Sequence, residues 1–120
     1  MPASYTIDPD RKLVISRIWG AATNDEIREH NRRLRTDPLF DPSYRQLANM
    51  SEVTEVIVST KTIQETARDQ FFSPGTQRAF VAVDEAAFGL SRMYATIAES
   101  FDQTIEVFRE RRAAEAWLGL

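Results

Sequence analysis

Few residues in this sequence are of a type that carries out catalysis. His30 is the single histidine among 120 residues, cysteine is absent, and the four glycines are scattered. A Ser-His-Asp site needs its histidine beside an activated serine, a structural zinc site needs several nitrogen or sulfur ligands, and a phosphate-binding loop needs clustered glycines. The sequence contains none of these patterns, and it therefore predicts no enzyme, no metal site and no bound cofactor.

The remaining polar groups of chemical interest are better explained by structure. Asp8 with Asp10, and Asp84 with Glu85, fall at a predicted turn and a predicted helix cap, where carboxylates are favoured. His30 lies in the middle of a predicted helix among polar neighbours, and we expect it to face solvent.

Net charge and hydropathy narrow the classes of partner. The formal charge of −3 and the isoelectric point near 5.2 argue against a nucleic-acid binder. No apolar run reaches the ~18 residues that span a bilayer, and the N-terminus lacks a signal-peptide pattern. We therefore expect a cytoplasmic protein. One helix face carries Arg28, Arg32 and Arg35. This face is either a solvated surface or a contact for anionic lipid or an acidic partner. We expect membrane contact to be at most peripheral.

A binding surface is predicted where two strands lead into helices. Ligands of open parallel sheets bind at the carboxyl ends of strands, near helix starts, and residues 51–60 and 84–89 occupy such positions. Two of the aromatic residues precede a proline-glycine turn, where loops are usually exposed. The alternative for the aromatics is core packing or a homodimer contact. The candidate ligand- or partner-binding residues are Ser51, Ser59, Thr60, Phe71, Phe72, Phe88 and Tyr94.

The elements that position these residues follow from periodicity and turn signals. The pattern predicts one domain over residues 1–120, of α/β class and order ββαβαβαβα. An N-terminal antiparallel hairpin joins a mostly parallel central sheet with helices packed against it. Gly20 is expected to end the second strand, and residues 51–58 to form a mixed connection. The strands are predicted at residues 5–7, 13–19, 44–50, 78–83 and 104–108. The first helix is predicted at residues 24–35, the second from a cap at Ser59 or Thr60 to residue 69, and the third after a cap at Asp84. The fourth helix is predicted at residues 110–118, with one face formed by Ala113, Ala116, Trp117 and Leu120.

Three short segments resemble a known family. They are Tyr5-Thr6-Ile7-Asp8-Pro9, then Phe72-Ser73-Pro74-Gly75 before Arg78-Ala79-Phe80-Val81, and finally Val107-Phe108-Arg109 followed by Ala114-Glu115-Ala116-Trp117-Leu118-Gly119. In this order they resemble the SpoIIAA-like branch of the STAS superfamily, over nearly the whole chain. That family shares its architecture with CRAL-TRIO lipid-transfer modules.

The resemblance implies a protein that works by binding. In the anti-sigma antagonists of the family, a serine at the start of the helix after the central strand is phosphorylated by a partner kinase. Ser59 and Thr60 stand at that place here, without the family's aspartate and glycine, so they are either phosphorylation sites or plain helix caps. We expect a non-catalytic binding or regulatory module that acts through a protein partner and through self-association as a homodimer. The alternative is a carrier or sensor of a small apolar or lipid-like ligand, with peripheral membrane association.

Overall fold

The computed structural model describes residues 2–120. Its elements follow the predicted order ββαβαβαβα. The strands are β1 (Ala3–Asp8), β2 (Leu13–Thr23), β3 (Arg45–Ile57), β4 (Gln77–Ala82) and β5 (Thr104–Phe108), and the helices are α1 (Asn24–Arg35), α2 (Thr60–Arg68), α3 (Glu85–Glu99) and α4 (Arg111–Leu118).

The strands form one sheet in the order β1-β2-β3-β4-β5. β1 pairs antiparallel with β2, and every later pair is parallel. The predicted hairpin and the predicted, mostly parallel sheet are therefore confirmed. Successive side chains of a strand point to opposite faces, so the strands β3, β4 and β5 supply one set of residues to α4 and the sheet supplies another set to the three remaining helices.

The face beneath α4 is apolar. Alternate residues of the central strands, among them Leu47, Ala79 and Val81, pack there against Ala114 and Leu118 of α4. The predicted face of this helix was wrong by one position, because Ala113, Ala116 and Leu120 are exposed and Trp117 is only half-buried. The buried residues Ala114 and Leu118 are four positions apart, so they lie on the same helix face, about one turn from each other.

Two predicted strand boundaries were wrong. β2 does not end at Gly20, which takes a φ of 65° at an irregularity in its pairing and lets the strand continue to Thr23. Residues 51–58 are not a connection, because β3 continues to Ile57 alongside β2. β4 pairs with β3 only as far as Met50, so the second half of β3 and the end of β2 project beyond β4 as a two-stranded ribbon.

The helix starts agree with the sequence signals. Thr23 caps α1, with its Oγ1 3.4 Å from the amide of Glu26 and 2.7 Å from the Glu26 carboxylate. Ser59 caps α2 and Asp84 caps α3. Among residues 2–120, no helix combines the length and hydropathy needed to cross a membrane.

Candidate functional site

A cavity of about 110 Å³ lies between the sheet and the three helices α1, α2 and α3. We call it the helix-side cavity. Its size is comparable to that of engineered apolar cavities that bind benzene. Twelve apolar and eight polar residues line it: Ile18, Ala22, Ile27, Ala48, Met50, Val53, Val56, Val58, Ile63, Phe80, Ala87, Leu90, and Ser16, His30, Asn31, Gln46, Thr66, Arg78, Ser91, Tyr94.

Small side chains and helix placement create this space. Ala22, Ala48 and Ala87 line the cavity where larger residues would fill it. Above the sheet, α1 packs against β1 and β2, whereas α2 packs mainly against α3. The backbones of α1 and α2 therefore do not close over the central strands, and the volume beneath them stays open.

A surface groove between α1 and α2 leads towards the cavity. Asn31 and Thr66 line both the groove and the cavity. Two ion pairs span the groove, Arg28 with Glu65 at 3.4 Å and Arg35 with Asp69 at 2.7 Å. Two of the three arginines on the predicted arginine face thus bridge to acids at α2, although both pairs are well exposed and contribute little to stability.

Arg78 lies at one end of the cavity and is almost completely buried, with 3% of its surface exposed. Its guanidinium stacks over the ring of Phe72 at 4.2 Å from the centroid. Hydrogen bonds from Nε to Gln46 (3.0 Å) and from Nη1 to Gln70 (2.7 Å) and Gln103 (3.1 Å) use neutral carbonyl oxygens. Among residues 2–120, no carboxylate oxygen comes within 4.0 Å of this guanidinium to form a salt bridge. Among the described residues, the charge of Arg78 is therefore stabilised by amide dipoles and aromatic rings.

A hydrogen-bond chain runs from Arg78 across the sheet to α1. The Gln46 oxygen accepts from Arg78, which fixes the amide so that Gln46 Nε2 donates to Ser16 Oγ at 3.1 Å. Ser16 Oγ lies 2.9 Å from His30 Nε2, and His30 Nδ1 lies 2.9 Å from Asn31 Oδ1. Since Asn31 Oδ1 can only accept, His30 donates from Nδ1, and when the imidazole is neutral its Nε2 accepts from the Ser16 hydroxyl.

The prediction that His30 faces solvent was wrong. His30 is 8% exposed and its ring stands edge-on to Tyr5, 5.8 Å away. Burial lowers the pKa of His30 below its ordinary 6.5, and the charges of Arg78 and Arg33 lower this pKa further, against the hydrogen bond to Asn31, which raises it. The folded protein therefore holds this imidazole neutral at pH values where the unfolded chain begins to bind a proton.

This pKa shift predicts a loss of stability on acidification. Below about pH 6.5 the unfolded state binds more protons at His30 than the folded state, so the free energy of unfolding falls as the pH drops towards the lower folded pKa. Urea denaturation between pH 7.5 and 5 should show this fall. In His30→Gln, whose amide can both donate and accept but does not titrate, the fall should be smaller. Equal pH dependence in the two proteins would contradict the prediction.

The seven predicted site residues lie in five different places. Tyr94 lines the helix-side cavity. Phe88 packs at the start of α3 under the guanidinium of Arg109, 3.9 Å from the ring centroid. Ser51 is half-buried in β3, and Ser59 and Thr60 are exposed at the start of α2. The remaining two, Phe71 and Phe72, belong to the aromatic cluster described next.

Phe71 and Phe72 do not lie in an exposed loop as predicted. Phe72 is 4% exposed and packs with Val14 and Leu34 beneath the sheet-facing side of α1. Its ring centroid lies 5.2 Å from those of both Phe40 and Phe71. Phe71 is half-buried at the margin of the same cluster. Phe72 is therefore part of the core beneath α1.

Most of the polar cavity residues were not predicted from the sequence. Ser16, Gln46 and Arg78 each interrupt an apolar strand, and such interruptions are the signal that could have marked them. Gln46 and Arg78 are register partners on neighbouring strands, which the sequence alone does not show. Gln70 and Gln103 lie outside regular elements, and only the tertiary structure brings their oxygens to the guanidinium.

Comparison with known proteins supports the fold. No family model and no curated protein matches the chain. The crystal structure of an uncharacterised protein of the DUF3478 family from Shewanella loihica PV-4, described as having a SpoIIAA-like fold, is similar with a TM-score of 0.61. The two sequences are 14% identical, and the match covers 97% of this chain and 93% of that one. The predicted SpoIIAA-like fold is thus confirmed, and a likeness at this identity concerns the fold alone.

Proposed function

We propose that this chain is a non-catalytic binding module that holds a small apolar ligand in the helix-side cavity. The observation that carries the proposal is the cavity itself, which is lined mainly by aliphatic side chains and lies under the α1–α2 groove. Small-molecule sites are typically concave, mostly apolar and equipped with a few converging polar groups. This cavity has that composition, with its polar groups concentrated around Arg78 and His30. The proposal follows the alternative function predicted from the sequence, the carrier or sensor of an apolar ligand.

Binding of 1-octanol tests this proposal. We expect a dissociation constant of about 1 mM or tighter, a modest affinity in keeping with nine non-hydrogen atoms. A titration followed by two-dimensional amide NMR should shift the resonances of cavity residues such as Ala48, Met50 and Ser91. Residues that pack under α4, such as Ala79 and Ala114, should stay unchanged and serve as the internal control. Absence of saturable shifts, or shifts spread evenly over both faces, would reject the proposed ligand site.

A second candidate is a regulatory contact at the start of α2 with a protein partner or a second copy of the chain. The observation that favours it is Ile57, which is 55% exposed at the end of β3, two residues before the exposed Ser59. An exposed aliphatic residue near an exposed hydroxyl provides a contact that phosphorylation could modify.

Phosphomimetic variants test this second candidate. Ser59 caps α2 by accepting from the Thr62 amide at 3.1 Å, and aspartate caps a helix equally well. Ser59→Asp should therefore keep the helix start but change the amount of partner recovered in a pull-down, or the sedimentation of the protein. Thr60→Asp should change the same two measurements. Ser59→Ala, which loses the cap and costs about 1 kcal/mol, separates an effect of charge from an effect of helix fraying. This candidate would be rejected if both aspartate variants matched the unmodified protein in pull-down and in sedimentation.

A further inference from the structure

We infer that the ligand of the helix-side cavity is an amphiphile whose polar head is a carboxylate bound by Arg78 and Tyr94. This inference rests on the proposed function and adds the chemical class of the ligand. It follows from three properties of the cavity: an uncompensated charge, two hydrogen-bond donors without acceptors, and a separation of polar from apolar lining.

The first property is the charge of Arg78. A buried guanidinium is ordinarily paired with a carboxylate, because an unpaired charge is poorly stabilised away from water. Here the carbonyl oxygens of Gln46, Gln70 and Gln103 supply dipoles but no negative charge. A ligand with one negative charge would complete the pair and gain a charge-assisted hydrogen bond.

The second property is the presence of two free donors. Of the five N–H groups of Arg78, three are used by glutamine oxygens. One from Nη2 reaches Tyr94 at a long 3.4 Å, and the other has no acceptor among residues 2–120. The Gln70 amide is fixed because its oxygen accepts from Arg78 and its nitrogen donates to the Ala67 carbonyl at 2.7 Å.

The orientation of Gln70 also determines the role of Tyr94. Gln70 Nε2 must donate to the Tyr94 hydroxyl oxygen, at 3.0 Å, and Arg78 donates to the same oxygen. No acceptor for the Tyr94 hydroxyl proton is found in the part of the chain that the structure describes. Tyr94 and Arg78 both line the cavity, so this O–H group and the spare Nη2 N–H form a pair of neighbouring donors suited to the two oxygens of a carboxylate.

The third property is the polarity of the cavity along the strands. Gln46 and Arg78 pair at the beginning of β3 and β4, whereas Val53 and Val56 line the cavity in the second half of β3 and Val58 lines it just beyond the strand. An acid head at Arg78 would therefore direct its hydrocarbon tail towards the carboxyl ends of the strands. A phosphate monoester fits less well, because it brings nearly two negative charges to a single guanidinium.

Three unbranched probes, each of about eight carbon atoms, test the head group: octanoate, 1-octanol and octylamine, titrated at pH 7.5 and followed by amide NMR. We expect octanoate to bind about tenfold or more tightly than 1-octanol, because its head completes the charge pair. Octylamine should bind more weakly than 1-octanol, since its cation meets that of Arg78.

Tyr94→Phe removes one of the two donors and leaves the ring in place. The preference for octanoate over 1-octanol should fall several-fold in this variant. Tyr44→Phe is the matched control, because Tyr44 packs in the Phe72 cluster and lines no part of the cavity, and its preference should equal that of the unmodified protein. Arg78→Met, where circular dichroism shows it folded, should lose the preference entirely.

The outcomes separate this inference from the proposed function. Equal binding of octanoate and 1-octanol, or tighter binding of 1-octanol, would overturn the carboxylate while leaving the apolar site intact. Retention of the full preference in Tyr94→Phe would overturn the carboxylate in the same way. Failure of all three probes to bind would overturn the ligand site and this inference together.

Discussion

Ala48→Leu is expected to weaken 1-octanol binding by about tenfold or more, because its added carbons occupy the space that the ligand needs. Ala48 lies in the first half of β3 and lines the cavity, and its pairing partner on β4 is Phe80. Since the new side chain enters open volume, the free energy of unfolding should change by less than about 1 kcal/mol. Amide NMR titration gives the affinity, and urea denaturation gives the stability.

The matched control is Ala79→Leu, on the opposite face of the sheet. Ala79 has no exposed surface and packs beneath Ala114 and Leu118 of α4. The same substitution there overpacks a filled core, which costs about 1–3 kcal/mol, while 1-octanol binding should persist. The interpretation of the cavity fails if Ala48→Leu binds 1-octanol as tightly as the unmodified protein does. It also fails if the two leucine substitutions lower the free energy of unfolding equally.

Phe72→Ala is expected to have the largest effect on stability, a loss of about 3–5 kcal/mol. The ring of Phe72 packs with Val14 and Leu34 on one side and covers the Arg78 guanidinium on the other. Its removal leaves a void and also admits water to a buried charge. Small domains have roughly 5–15 kcal/mol of total stability, so this variant should be close to its unfolding threshold in urea denaturation.

Phe71→Ala is the control for this prediction. The two phenylalanines are adjacent in sequence and their centroids lie 5.2 Å apart, but Phe71 is only half-buried. Its truncation should cost roughly half as much or less, because the apolar area removed from water is smaller. Comparable losses in the two variants would show that Phe72 has no special role beneath Arg78. The result also bears on self-association, since a buried Phe72 cannot form the core of a dimer contact without unfolding.

The sequence predicts those features of the fold that depend on local pattern. Order and type of all nine elements follow from periodicity, caps and turns, and the structure confirms them. The length of β3 was missed because Glu52 and Glu55 break the apolar pattern of residues 51–57, whereas pairing with β2 determines where the strand ends. Such pairing is a tertiary property, which propensity alone does not contain.

The candidate site was less predictable, for two different reasons. His30 could have been placed correctly, because it lies three residues after Ile27 and four before Leu34, on the buried side of α1. For Arg78 the sequence offered only its position as a charged residue in an apolar strand, which does not identify its partners. Its acceptors come from β3, from the segment after α2 and from the segment before β5, so its burial depends on an arrangement that is specified only by the complete fold.

The hydrogen-bond chain across the sheet also constrains how the strands can align during folding. Side chains alternate between faces, so a one-residue slip of β3 would turn Gln46 towards α4 and bring Leu47 to the cavity. Arg78 would then lose its Nε acceptor and Ser16 its donor, and an amide would be buried among the apolar residues under α4. Apolar residues alone would tolerate several such misalignments of parallel strands. The hydrogen-bond chain through Ser16, Gln46 and Arg78 raises the free energy of the misaligned states, because their polar groups lose their partners. It therefore selects a single register.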